Sequence, residues 1–480
     1  MLTDSEKNSE SVNASNFFVN TPICCPSRST LISGRYTHNI KVNTNRDLGC
    51  MRMNTSRADN PNFWKNSFVS MLKTKFKYNT GIFGKMLNVM DTYGCNGTGL
   101  EDVDRSFIMC DPSFYNQTWA NFTGVDGNVY TSGDSPEDYT TSMIGNASVS
   151  WIRSVVEDEK PFFAFVGLHA PHLPSTPPPY GVDPNLKNVS VPRDPIWNRL
   201  SKDKHSFLST EPEINSADLR AIEIEHTNRL ESLVAVDNVI ESIVSLLREK
   251  NQWERTLFVF TSDHGYSLGQ NRVDSHKTQV YDHNIRVPFI AKVPFHRNHR
   301  VMNSLISMVD VAPTILEFAG ATDLSQFDGI SFQSELLSER ATRKRPRASL
   351  VEYQSIRTVD TMTRRMEVSA YGYRDDGQNV HIHDGPNNTF VALRILDSNH
   401  TSDLLYAEFT DVTNPKAWDF APSELNFFEL YNVTNDYYMA HNIYESVSEN
   451  LRQELHNALQ VAIKCKGSSD CYNALSNFTL

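Results

Sequence analysis

Several short stretches of this chain set residues that can attack or bind an anion beside residues that turn or stop the backbone. The first is Cys24-Cys25-Pro26-Ser27-Arg28, which runs on through Ser29 and Ser33 to Gly34. Proline lacks an N–H and fixes φ, so this turn is stiff. Ser29 to Ser33 read as a helix that Gly34 stops. Cys24 then stands at a helix N-terminus, where unpaired N–H groups and the dipole favour an anion. Adjacent cysteines also occur as buried structural residues, which is the competing reading. Tyr78 to Lys85 (YNTGIFGK) is a strand-like run ending in Gly-Lys; alone, such a lysine reads as a surface residue. Pro161 to Leu168 is continuously apolar and delivers His169-Ala170-Pro171-His172 at its end. Thr256 to Phe260 is a second such run, ending in Thr261-Ser262-Asp263-His264-Gly265. A carboxylate and an imidazole fixed at a strand end can hold a cation; the pair alone suits zinc or manganese as well as calcium. Lys277 follows, in His276-Lys277-Thr278.

Taken together these stretches resemble the sulfatase family. Its signature is C-x-P-S-R followed by a Ser/Thr-Gly pair, as Cys24, Pro26, Ser27, Arg28, Ser33 and Gly34 read here. The resemblance implies that Cys24 is oxidised to Cα-formylglycine, whose hydrate attacks sulfur and forms a covalent sulfated enzyme. It implies that Arg28, Lys85 and Lys277 supply positive charge, and that Lys85, Asn88 and Lys277 bind the sulfate. A proton for the leaving oxygen comes from His172, matching the family's A-P-H histidine, or from Lys277. One calcium ion is expected on Asp263, His264 and an oxygen of the modified Cys24. His169 has no counterpart in the family and reads as structural. Many arylsulfatases carry a histidine where Leu87 stands; the Gly-Lys-x-Leu-Asn pattern is more similar to N-acetylglucosamine-6-sulfatases, as is Phe427 to Asp436 (FFELYNVTND). The family's early strand ending in adjacent aspartates has no clear match. Asp4 stands 20 residues before Cys24 with Ser5 beside it, so the chain is expected to lack that strand and to have an incomplete metal site.

These residues need a scaffold to position them. Continuous apolar runs are the mark of parallel-sheet strands buried on both faces, and open α/β sheets place their sites at the carboxyl ends of strands. A short strand is expected over 16–23. Ser216 to Lys250 has a broad apolar stripe and reads as a scaffold helix capped within Ser216-Ala217-Asp218. Val309 to Leu316 and Phe327 to Ser331 resemble family segments without a catalytic role. The basic stretch Ser338 to Arg347 reads as a solvated linker. It divides a catalytic domain, 1–345, from a C-terminal α+β domain, 346–480, with strands at Thr389–Ile395 and Leu404–Phe409 and a closing helix from Glu445 to Ile463. The fold class implied is α/β, an alkaline-phosphatase-like mostly parallel sheet flanked by helices.

Composition narrows the function classes. With 480 residues, 39% hydrophobic and 21% charged, the chain is an ordinary globular sequence long enough for more than one core. A net charge of −12 offers no basic face for nucleic acid, and no apolar run approaches the roughly 18 residues of a membrane helix. If Cys24 is oxidised, six cysteines remain to pair, Cys465 with Cys471 first. Sequons begin at Asn13, Asn54, Asn96, Asn116, Asn121, Asn146, Asn188, Asn387, Asn399, Asn432 and Asn477; that density points to the secretory pathway, lysosomal or extracellular, although the first residues contain no apolar signal segment. The expected partners are a sulfated glycan or small sulfate ester and, during maturation, a formylglycine-generating enzyme. The function expected is hydrolysis of sulfated sugars of the N-acetylglucosamine-6-sulfatase type. Alternatives are an arylsulfatase and a catalytically impaired, glycan-binding relative. A phosphodiesterase with a Thr or Ser nucleophile is disfavoured, since Cys24 occupies that place.

Overall fold

The computed structural model describes residues 10–43, 45, 50, 62–88, 95, 97, 99–110, 113–296, 299–338, 344–355, 384, 386–396, 403–410 and 425–477. Asp4 and Ser5 lie outside them. Three sheets organise the described residues. The first has the order β7-β8-β1-β9, from Phe258–Thr261, Phe289–Lys292, Ser11–Phe18 and Arg300–Ser307. The second has the order β5-β4-β3-β2-β6, from Asp126–Thr131, Thr118–Thr123, Arg105–Met109, Asn79–Gly84 and Phe162–Gly167. Parallel and antiparallel pairs mix in both: β1 runs parallel to β9 and antiparallel to β8, and β2 runs parallel to both β3 and β6. Helices flank these sheets, chiefly α1 (Cys24–Ser33), α2 (Phe68–Thr74), α3 (Thr140–Val155), α4 (Ser216–Glu249) and α5 (Val311–Phe318).

The expected strand at 16–23 lies earlier, because the chain leaves the sheet after Phe18 and Asn20 turns to bind elsewhere. Its amide donates to Leu350 O at 2.8 Å and its Oδ1 accepts from Val309 N at 2.9 Å. The long helix is capped by Asn215, one residue ahead of the expected segment: Oδ1 accepts from Ala217 N and Asp218 N at 2.8 and 3.1 Å, and Asp218 closes the capping box. The apolar strands β6 and β7 were expected to be buried on both sides. Every residue of both is only half-buried, because each is paired along a single edge, β6 to β2 and β7 to β8.

The third sheet is antiparallel in sequence order, β10 (Ala348–Tyr353), β11 (Thr389–Leu396), β12 (Asp403–Thr410) and β13 (Leu425–Asn432). Strand alternation splits its side chains. Leu350, Leu393 and Tyr406 pack on helix α6 (Glu449–Ala462) through Leu455 and Leu459. Val351, Ala392 and Phe409 join the core that contains Phe17, Phe18 and Phe289 of the first sheet. The linker expectation fails at Arg345: its side chain is 8% exposed and ion-paired to Asp310, since a guanidinium left unpaired at that depth would carry a large desolvation cost. Disulfides join Cys25–Cys50, Cys95–Cys110 and Cys465–Cys471. Asn116, Asn146, Asn188 and Asn477 are exposed, whereas Asn13 lies mid-sheet, paired across to Ile290 and Val301.

A buried histidine ties the segment after α1 to the third sheet. His38 Nδ1 meets Glu352 Oε1 at 2.8 Å and Nε2 meets the Cys465 carbonyl at 2.9 Å. Both partners accept, so both ring nitrogens donate and the imidazolium is the matching form. Burial pushes the His38 pKa down, but the Glu352 charge and its hydrogen bond outweigh it and the net shift is upward. A raised folded-state pKa stabilises fully below the unfolded value near 6.5, and that stability is lost as pH rises through the folded value. The expected result is a thermal midpoint that falls from pH 6 to pH 8 in the parent protein and falls less in His38→Gln. Equal slopes would show that His38 is not the titrating group.

Candidate active site

Four backbone ends converge on one point. α1 begins at Cys24 after an extended Ile23, and ends where Gly34 takes φ 62° and its N–H returns to Thr30 O at 2.8 Å. The two adjacent cysteines divide the two roles considered for them: Cys25 is held in the bridge to Cys50, while Cys24 is 1% exposed and is the free thiol. β2 delivers Lys85 through Gly84, whose φ is +82°; a Cβ there would lie 2.2 Å from Gly167 O. β6 delivers His169 to His172, and β7 delivers Asp263 and His264. Gly84→Ala should therefore cost about 3 kcal/mol and pull Lys85 from its place. Urea unfolding read beside sulfate release checks both effects; an unchanged midpoint would refute the close approach.

Around the Cys24 thiol the groups are in contact. Lys277 Nζ is 2.8 Å and His264 Nε2 3.4 Å from Sγ, and Lys277 Nζ is 3.3 Å from His264 Nε2. Arg28 pairs with Asp263, donates to Asn88 Oδ1, and donates through Nε to Met86 O at 2.5 Å. Ser27 Oγ donates to Asp263 O at 2.5 Å. Nδ1 of His264 and of His172 face the carbonyls of Gly265 and Leu173, at 2.8 and 2.6 Å; each must donate there, so the Nε2 atoms are the ring nitrogens turned to other partners. Burial raises the Cys24 pKa, but Lys277, Lys85 and His264 outweigh it and hold the thiol well below its ordinary value. Burial, with Arg28 and Lys277, lowers Lys85 to about 8. Burial and then Lys85 push His172 down to about 3. Desolvation raises the Asp263 pKa, but His264 and Arg28 prevail and it is lowered. Arg28, Lys85 and Lys277 thus gather with Asp263 at the Cys24 end of the cavity, where the three cations suit an anionic group.

All the residues expected at the site, Cys24, Arg28, Lys85, Asn88, His172, Asp263, His264 and Lys277, line or border this one cavity. His169 does too: it is 2% exposed, its ring nitrogens have no hydrogen-bond partner, and it packs against His172 and Phe114. Donor atoms of Cys24, Asp263 and His264 lie within 4.8 Å of one another. As they stand these three do not fit calcium, which takes six to eight oxygens: the set offers one carboxylate, already paired with Arg28, with a thiol and an imidazole.

Sequence reasoning treated α4 as scaffold only. Glu225 and Arg229, one turn apart, line the cavity wall. Arg229 lies 4.4 Å over the Tyr266 ring and donates to Pro171 O at 3.1 Å, while Ser275 Oγ donates to Glu225 Oε2 at 2.6 Å. Two opposite charges at i and i+4 on the half-apolar helix were the available signal. Lys277 has a further anchor: Thr278 sits at φ 78°, and Asn388 Nδ2 donates to its carbonyl at 3.0 Å.

Comparison with known proteins gives the same grouping. The family profile described as Sulfatase matches residues 2–321, and that of the N-sulphoglucosamine sulphohydrolase C-terminal region matches 274–375. The chain is 27% identical over 461 residues to N-acetylglucosamine-6-sulfatase of Bos taurus, covering 94% of this chain and 78% of the relative. It is 26% identical over 494 residues to an arylsulfatase of Volvox carteri, covering 95% and 70%. Among solved structures, a protein in complex with its substrate D-glucosamine-2-N,6-O-disulfate superposes with TM-score 0.68 at 16% identity, covering 95% of this chain and 90% of that one. The phosphonate monoester hydrolase of Agrobacterium radiobacter gives 0.62 at 15%, covering 96% and 89%.

Proposed function

We propose, from the premise that this chain belongs to the sulfatase family and is a sulfuric ester hydrolase, that it removes sulfate from sulfated amino sugars of the N-acetylglucosamine-6-sulfate type. The observation that carries this reading is the buried Cys24 at a helix N-terminus with Lys277 at 2.8 Å and Arg28 and Lys85 in the same cavity. Relatives named N-acetylglucosamine-6-sulfatase, which align over nearly the whole chain, support the substrate class.

Water attacks a sulfate monoester poorly, so the site has to offer a better nucleophile and neutralise the sulfate oxygens. Oxidation of Cys24 to formylglycine by a formylglycine-generating enzyme supplies that nucleophile as an aldehyde hydrate. Lys85 and Lys277 bind the sulfate oxygens. Arg28, oriented by Asn88 and Asp263, supplies further positive charge beside the reacting atom. His172, with its pKa near 3, is neutral at pH 7 and has no extra proton to give; Lys277 is then the group that protonates the departing sugar oxygen. Three disulfides and exposed sequons support passage through an oxidising, secretory compartment. Among the described residues no helix is long and apolar enough to cross a membrane.

The test is sulfate release from N-acetylglucosamine 6-sulfate and from an aryl sulfate, by protein co-expressed with a formylglycine-generating enzyme, beside mass spectrometry of the Cys24 peptide. Release from the amino sugar is expected. Release from the aryl ester alone moves the substrate, and an unmodified thiol throughout favours a glycan-binding relative. Full conversion with every ester left intact overturns the hydrolytic reading.

A further inference from the structure

Lys277 is followed by a residue in an unusual backbone conformation. Thr278 sits at φ 78° and is 2% exposed. A β-branched side chain at positive φ is rare and strained, and it persists only where the surroundings over-determine it. Close by in the chain, Thr278 Oγ1 donates to the Lys277 carbonyl, and Gln279 N donates to Asn284 Oδ1 at 3.0 Å. A further hold comes from 110 positions away. Asn388, fully buried, donates through Nδ2 to the Thr278 carbonyl at 3.0 Å and to Asp384 Oδ1 at 3.1 Å. Both of these partners accept, so the amide nitrogen and not its oxygen faces them. Asp384 Oδ2 in turn accepts from the Tyr353 hydroxyl at 2.8 Å. Tyr353 ends β10, and Asn388 directly precedes β11. Phe390 of β11 pairs with Tyr353, and Thr389 Oγ1 accepts from Ser355 N at 3.1 Å. Two registered strands of the third sheet therefore aim the Asn388 amide at the peptide group that follows Lys277.

We propose that Asn388 is a positioning residue for the reaction: from the third sheet it fixes the strained Thr278 backbone and so holds the Lys277 ammonium 2.8 Å from the Cys24 sulfur. The proposal rests on Lys277 being a working cation of the sulfatase site. Among the described residues the hydrogen bonds of Asn388 go to Thr278 and Asp384, so its effect on the Cys24 centre passes through one peptide group. The lysine stem is long and rich in rotamers, and a displacement of about 1 Å at the reacting atoms costs on the order of 10² in rate. Where the backbone beside Lys277 is pinned thus decides whether its charge reaches the sulfur. The competing role for Asn388 is to finish the turn before β11; its loss would then lower stability and leave the charge at Cys24 unchanged.

Protein expressed without the maturing enzyme keeps Cys24 as a thiol, and two alkylating reagents of like size read the charge beside it. Iodoacetate is an anion and iodoacetamide is neutral, so the ratio of their rates cancels the thiolate fraction and reports nearby positive charge. Asn388→Leu, matched in size and without a donor, should lower that ratio about fivefold at low salt, toward the value of Lys277→Met. Adding Thr278→Gly should restore about half of the loss or more, because glycine holds positive φ without strain. Asn388→Ser, too short to reach the Thr278 carbonyl, is held to the same outcomes and replaces the leucine variant if that one does not fold. Both substitutions keep the Asn-x-Thr sequon of Asn387 and Thr389. In matured protein Asn388→Leu should lower kcat for N-acetylglucosamine 6-sulfate about tenfold. A rate ratio equal to the parent's in the folded variants, or a lowered ratio that Thr278→Gly leaves where it was, would overturn the proposal. The ratio is read without a sulfate ester, so a parent protein that releases no sulfate counts against the sulfatase reading and leaves the ratio to decide this one.

Discussion

Cys24→Ala should abolish sulfate release, by at least about 10³-fold, while leaving the fold in place. Losing the nucleophile of a covalent mechanism costs between roughly 10³ and 10⁶ in turnover, because the cations that remain stabilise charge but cannot attack. Cys24 carries no structural bond: the disulfide of this turn belongs to Cys25 and Cys50. The substitution removes one sulfur atom from a buried site, worth about 1 kcal/mol, so the thermal midpoint should move by only a few degrees. A Cys24→Ala protein with more than a tenth of the parent rate would refute the assignment of the nucleophile. Retained structure with lost turnover is the outcome that separates this from a packing role.

Lys277→Met should lower kcat by about 10²–10³, the loss seen when one preorganised donor to a developing charge is removed. Methionine keeps the length of the stem and removes the ammonium. The substitution also has a readout that needs no turnover. In protein expressed without the maturing enzyme Cys24 stays a thiol, held well below its ordinary pKa because Lys277, then Lys85 and His264, outweigh the effect of burial. Taking Lys277 away raises that pKa, so less thiolate is present at pH 7 and alkylation by iodoacetamide slows. Lys277→Arg should not restore the parent rate, since a planar guanidinium cannot occupy the place of an ammonium 2.8 Å from the sulfur. An alkylation rate equal to the parent's would show that Lys277 does not set the charge at this centre.

Much of the site was legible in the chain because its chemistry is carried by short, local patterns. Cys24 to Arg28, Gly84-Lys85, Ala170-Pro171-His172 and Asp263-His264 each combine a reactive residue with the backbone device that aims it, a helix start or a strand end. Apolar continuity located β6 and β7, and the stripe along 216–250 located α4, within a residue or two. The cap on Asn215 was missed because Ser, Asn and Asp all cap well and Asn215, Ser216 and Asp218 stand within four positions there.

What the sequence by itself determined was the inventory: which residues carry charge and nucleophilicity, and which runs become strands and helices, since both depend on neighbours a few positions away. Only the tertiary structure decided that Cys24 rather than Cys25 stays unpaired, that Arg345 is buried against Asp310, and that Glu225 and Arg229 of α4 wall the cavity. Those outcomes depend on contacts between residues tens to hundreds of positions apart, and no local pattern specifies which strand edges will find a partner.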